Sequence, residues 1–96
     1  MEKLTLIKVG GKIVEEASTL KSLLEQFSKI PGNKVLVHGG GRSATQVATQ
    51  LGIETKMVEG RRITDEAMLK VVTMVYAGLV NKNIVAQLQA NGINSL

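Results

Sequence analysis

Ninety-six residues suffice for one small domain and leave no room for a second complete one. With no cysteine and His38 as the single histidine, the chain excludes a disulfide framework, a thiolate metal site and a histidine cluster, and fits a reducing, cytoplasmic setting. The net charge of +4 is scattered in ones and twos, and Phe27 and Tyr76 are the only aromatic residues, so an anionic small molecule suits the chain better than nucleic acid.

In chain order, "LTLIKV" (residues 4–9) is apolar and β-branched with little alternation, which predicts a strand buried on both faces of a parallel sheet. Gly10 and Gly11 end it. From residue 15 to 30 a helix is expected, because Leu20, Leu23, Leu24, Phe27 and Ile30 recur at helical spacing before Pro31 and Gly32. "KVLVH" (34–38) reads as a second strand, followed by Gly39, Gly40 and Gly41. Ala44, Val47, Ala48 and Leu51 then mark one face of a second helix, closed by Gly52. This order predicts a right-handed βαβ unit with both glycine turns at the carboxyl edge of one sheet, where ligands collect in open α/β folds. Residues 55–58 and 61–64 flank Glu59-Gly60 and read as a hairpin, polar enough to serve as a flap. Thr64 is the expected N-cap of a long helix, with Asp65 and Glu66 in its first turn and its end at Asn91-Gly92.

That helix is apolar nearly all round from residue 67 to 80. Met68, Val71, Val72, Val75 and Leu79 fall on one side, while Leu69, Met74, Ala77 and Val80 fill much of the rest. Such a helix needs cover on more than one side, from a second subunit or from a larger domain. Residues 93–96 look like the opening of a third parallel strand, which suggests a piece of a longer polypeptide. No apolar run approaches ~20 residues and the start lacks a secretory leader, so a soluble protein without a membrane segment is expected.

The triple glycine admits several readings. As an anion cradle, it lets backbone N–H groups converge at the start of the helix near Arg42. As a dinucleotide site, Gly39, Gly41 and Ala44 fit G-x-G-x-x-[GA] with Glu59 twenty residues on, although the pattern follows the second strand and not the first. A lipase-type oxyanion hole lacks its G-x-S-x-G elbow. Lys8 favours the cradle, since a lysine at the end of a buried strand is costly unless it meets an anion; the alternative is a side chain that snorkels past the sheet edge. Phosphoryl transfer needs such positive groups around the moving phosphate. Arg61 and Arg62 at the flap offer a planar fork for a carboxylate, or stand as a solvated pair. His38 reads as a structural strand-end residue bonded to backbone.

"IKVGGK", "VLVHGGG" about thirty residues later and "GRRIT" leading into a long helix together resemble the amino acid kinase family, in its acetylglutamate kinase branch. The resemblance runs through all 96 residues and implies roughly the amino-terminal third of such a domain, its acyl amino acid-binding part. The implied fold is a three-layer α/β/α sandwich with a mainly parallel open sheet. The implied reaction is ATP-dependent phosphorylation of the γ-carboxylate of N-acetyl-L-glutamate, the second step of arginine biosynthesis, with Mg²⁺ on the ATP phosphates and no metal held by these residues.

By the resemblance, Lys8 stabilises the transferring phosphoryl group and Gly10 and Gly11 form the turn beside the nucleotide phosphates. Gly40 and Gly41 supply backbone donors to the substrate, and Arg62 grips its α-carboxylate. Arg61 receives no role. Residues 55–64 correspond to a substrate lid, and the helix from about 65 to 80 to a homodimer contact. The adenine pocket, a second lysine and an organising aspartate lie outside these motifs, so the 96 residues alone are expected to be inactive. An N-succinylglutamate kinase, a kinase of another carboxylate and a non-catalytic binding module remain the alternatives.

Overall fold

The computed structural model describes residues 3–40 and 42–96. Strands β1 (Leu4–Val9) and β2 (Asn33–His38) pair in parallel, from Leu4 opposite Asn33 to Val9 opposite His38. Two helices, α1 (Gly11–Glu15) and α2 (Ala17–Ser28), fill the connection where the spacing predicts one. Gly10 caps α1: its carbonyl accepts from the N–H groups of Ile13 and Val14, both at 3.2 Å. Extended backbone at Glu16 (φ −98°, ψ 107°) separates the two helices. Having no buried residue, α1 leaves no apolar periodicity to read.

Burial of β1 on both faces is not observed. Exposure alternates along both strands, with Leu4, Leu6, Val35 and Val37 open while Ile7 and Leu36 pack on the core. The helices lie on one face, and no described element covers the other. Leu20, Leu24 and Phe27 of α2 bring the expected stripe into the core, as do Ala44 and Ala48 of α3 (Ser43–Gln50). Leu51 instead lies exposed, because α3 ends before it. There Gly52 takes φ 74°, its N–H donates to Thr49 O and Ile53 N–H donates to Ala48 O at 2.8 Å, the paired bonds of a Schellman stop.

The hairpin forms as read: β3 (Lys56–Val58) runs antiparallel to β4 (Arg61–Ile63), with Met57 opposite Arg62. Glu59 and Gly60 both have positive φ, 50° and 78°, the twist that a two-residue hairpin turn requires. The cap of the next helix is Asp65, not Thr64. Its Oδ1 accepts from Met68 N–H at 2.8 Å, the bond from the third helical residue that an N-cap makes.

From there one helix runs from Glu66 to Ala90 as α4 (Glu66–Val72), a π-helical segment (Thr73–Val80) and α5 (Asn81–Ala90). The π segment changes the faces. Buried positions step by three and four from Met68 to Val71 and Val75, jump five to Val80, and resume by fours at Ile84 and Leu88. Helical spacing assigns Leu79 to the Met68 side and Val80 away from it; the structure exchanges them, because i→i+5 bonding stacks residues five apart. By length and composition this helix could cross a membrane; in the structure 28% of its apolar stretch is buried, where its inner stripe packs on α2 and α3. Residues 93–96 form no strand: Ile93 N–H closes the stop of α5 on Leu88 O, and Ser95 N–H folds back to Ile93 O.

Candidate functional site

Because Val9 lies opposite His38, the chain leaves both strands at one edge, and the two glycine turns stand side by side there. The far end of α1 reaches across to the second turn. Arg42 N–H donates to Glu15 Oε1, and Arg42 Nε lies 4.0 Å from Oε2, the ion pair found among the described residues. A carboxylate of the chain itself therefore stands at the start of α3, where the positive helix end favours an anion. Gly41 lies outside the described residues.

Gly40 is buried against Tyr76. A Cβ placed on it would stand 2.1 Å from Tyr76 Cε1 and 2.2 Å from Cδ1, so only glycine admits the ring. The Tyr76 hydroxyl in turn accepts from Arg62 Nη1 at 3.0 Å, and Arg62 Nη2 donates to Thr45 Oγ1 at 2.8 Å. The flap arginine is thus fixed over the second glycine turn by one side chain from α3 and one from the π segment. Its Nε is buried and has no acceptor, and among the described residues no carboxylate pairs with it. A half-buried guanidinium held only by neutral hydroxyls keeps its whole charge for an incoming anion.

His38 behaves as the structural residue expected. Asn81 Nδ2 donates to its Nε2 at 3.1 Å, which leaves the proton on Nδ1 to donate to Gly39 O at 2.8 Å. Lys8 occupies the open face of the sheet, opposite Val37 in register, and makes no hydrogen bond or ion pair among the described residues. The burial cost inferred for it does not apply here, since nothing described covers that face. Gly10 and Gly39 differ from Gly40: a Cβ on either meets nothing within 4 Å, and the backbone of Gly10 (φ −75°, ψ 164°) suits any residue. The structure therefore joins Gly40 to Arg62 through Tyr76, and places Lys8, Gly10 and Gly11 at the end of the neighbouring strand.

Residues 3–96 match the amino acid kinase family. The chain belongs to that family. It is 75% identical over 95 residues to the acetylglutamate kinase of Bacteroides thetaiotaomicron and 75% identical over 96 residues to that of Parabacteroides distasonis, covering 99% and 100% of this chain. Against the acetylglutamate kinase of Methanopyrus kandleri the identity is 42% over 91 residues. The chain spans 37%, 38% and 34% of the length of these three relatives. Among solved structures, a Streptococcus mutans protein superposes on 97% of the chain with a TM-score of 0.77 at 26% identity, over 38% of its own length. An N-acetylglutamate synthase of Neisseria gonorrhoeae, crystallised with coenzyme A and N-acetylglutamate, superposes on 94% of the chain with a TM-score of 0.71 at 25% identity, over 22% of its own length.

In this amino acid kinase chain, residue reading missed Thr45 and Tyr76, the two hydroxyls that hold Arg62. Tyr76 is one of two aromatics in the sequence, and nothing in its spacing marks it for the site. Its direction depends on the π segment, which no apolar spacing announces.

Proposed function

We propose that the chain is the acyl amino acid-binding part of a cytoplasmic kinase that transfers the γ-phosphoryl group of ATP to the γ-carboxylate of N-acetyl-L-glutamate in arginine biosynthesis. The observation that carries this reading is Arg62, a fixed guanidinium beside the Gly40 turn, with a buried Nε that has no acceptor. An α-carboxylate supplies the counter-charge it lacks. The high identity to acetylglutamate kinases supports the choice of acid.

In this reading Gly40 and Gly41 give backbone N–H groups to the bound acylglutamate, and the hairpin from residue 55 to 64 acts as its lid. An oxygen of the substrate's γ-carboxylate attacks the γ-phosphorus in line, the bond to the β-phosphate oxygen breaks, and an acyl phosphate and ADP result. Lys8, unpaired at the strand end, stabilises charge on the equatorial oxygens. Gly10 and Gly11 let the phosphates approach the backbone; the glycine at position 10 is required by neither its own conformation nor its packing, which leaves a ligand's approach as its reason. Among the described residues no group of three His, Cys, Asp or Glu offers a metal cage. In the kinase reading Mg²⁺ comes with the nucleotide, on its phosphates.

The test is ADP release by the full-length protein, coupled to a spectrophotometric readout, with N-acetyl-, N-succinyl- and free glutamate compared. Release with N-acetylglutamate and not with free glutamate is the expected result. A clear preference for the succinyl compound would change the acyl group, and no release with any of the three would refute the kinase reading.

A further inference from the structure

We propose that Tyr76 is the positioning residue that couples the flap to the second glycine turn, setting the guanidinium of Arg62 at the height an α-carboxylate needs. Tyr76 occupies two contacts at once: its ring lies on Gly40 and its hydroxyl accepts from Arg62 Nη1 at 3.0 Å. Fixing the ring therefore fixes the arginine. Thr45 Oγ1 takes Nη2, so the fork is held at both ends by hydroxyls and its plane cannot rotate freely. Neutral acceptors matter here. An Asp or Glu in place of Tyr76 would hold the arginine equally well but would neutralise the charge that the ligand must meet.

The π segment is what points Tyr76 there. In an α-helix, Tyr76 and Asn81 would project about 140° apart, at about 100° per residue. Bonding from i to i+5 stacks them instead on one side. Both side chains then meet the same turn, Tyr76 at Gly40 and Asn81 at His38, whose other nitrogen donates to Gly39 O. The segment after β2 is thus clamped at two points by one helix face, and the flap arginine hangs from one of them.

This role rests on Arg62 as the carboxylate clamp, so the test separates the two. In the full-length protein, Tyr76→Phe keeps the ring on Gly40 and removes only the hydroxyl. It should raise KM for N-acetylglutamate about ten- to a hundredfold, the range for one lost hydrogen bond to a charged group, with kcat within about twofold and KM for ATP unchanged. Arg62→Ala should raise the same KM further, and Tyr76→Phe added to Arg62→Ala should change nothing more, since a residue acting through the arginine has no effect without it. If Arg62→Ala raises KM and Tyr76→Phe does not, or if the two effects multiply, the positioning role falls while the clamp stands. An Arg62→Ala enzyme with an unchanged KM would refute the clamp itself, and the role of Tyr76 with it.

Discussion

A methyl group on Gly40 would enter the Tyr76 ring, whereas one on Gly10 would enter open space. The two glycines therefore predict opposite phenotypes in the full-length protein. Gly40→Ala should destabilise the fold by about 1–3 kcal/mol through overpacking, seen as a lower Tm, and Tyr76→Leu in the same protein should recover part of the loss. Gly10→Ala should leave Tm unchanged and impair turnover, because only the approach of a phosphate is blocked. Lys8 has no protein partner among the described residues to lose, so Lys8→Ala should likewise spare stability while lowering kcat by on the order of a hundredfold. An unchanged kcat in that variant would remove Lys8 from the phosphoryl-transfer site.

What holds the elements in place was legible wherever a local pattern decides it. Glu59-Gly60 fixed the hairpin, Gly52 and Gly92 fixed two helix stops, and the apolar spacing from Leu20 to Phe27 fixed the buried face of α2. Elements without such a pattern were not readable. The five-residue α1 has no fully buried residue, and the π segment is apolar nearly all round, so neither its register nor the exchange of Leu79 for Val80 shows in the spacing. The site divides in the same way. Strand order alone brings the two glycine turns together, but the link from Arg62 to Gly40 runs through Tyr76, whose direction only the π register sets. Caps lie between these cases: two adjacent residues, Thr64 and Asp65, both suit an N-cap, and the bond from Met68 N–H selects the second. Asp65→Ala should cost about 1 kcal/mol by thermal or denaturant unfolding, and Asp65→Asn much less, while Thr64→Ala should have little effect.

Besides the exposed Met57, Val58 and Ile63 of the hairpin, the described residues leave an apolar sheet face and an apolar helix stripe open, and these two call for different cover. One is the sheet face of Leu4, Leu6, Val35 and Val37; in a three-layer domain of this family a helical layer of the same chain belongs there. The other is the stripe of Leu69, Met74 and Leu79 on the long helix, 55%, 55% and 62% exposed and spaced by fives, on the side away from Met68, Val75 and Val80. The inner face of this helix packs on α2 and α3, so the outer stripe calls for a second copy or for the rest of a longer chain, and we propose the homodimer contact that the family resemblance implies. Burying a charge in such an apolar contact without a partner costs several kcal/mol. In the full-length protein, Leu79→Glu should therefore convert a dimer to a monomer by sedimentation, with Tm lowered only by the lost association. Leu6→Glu should lower Tm while leaving the mass of the particle unchanged, since it strikes a face covered within one chain. A dimer that survives Leu79→Glu would place the contact elsewhere, and a monomer produced by Leu6→Glu would assign it to the sheet.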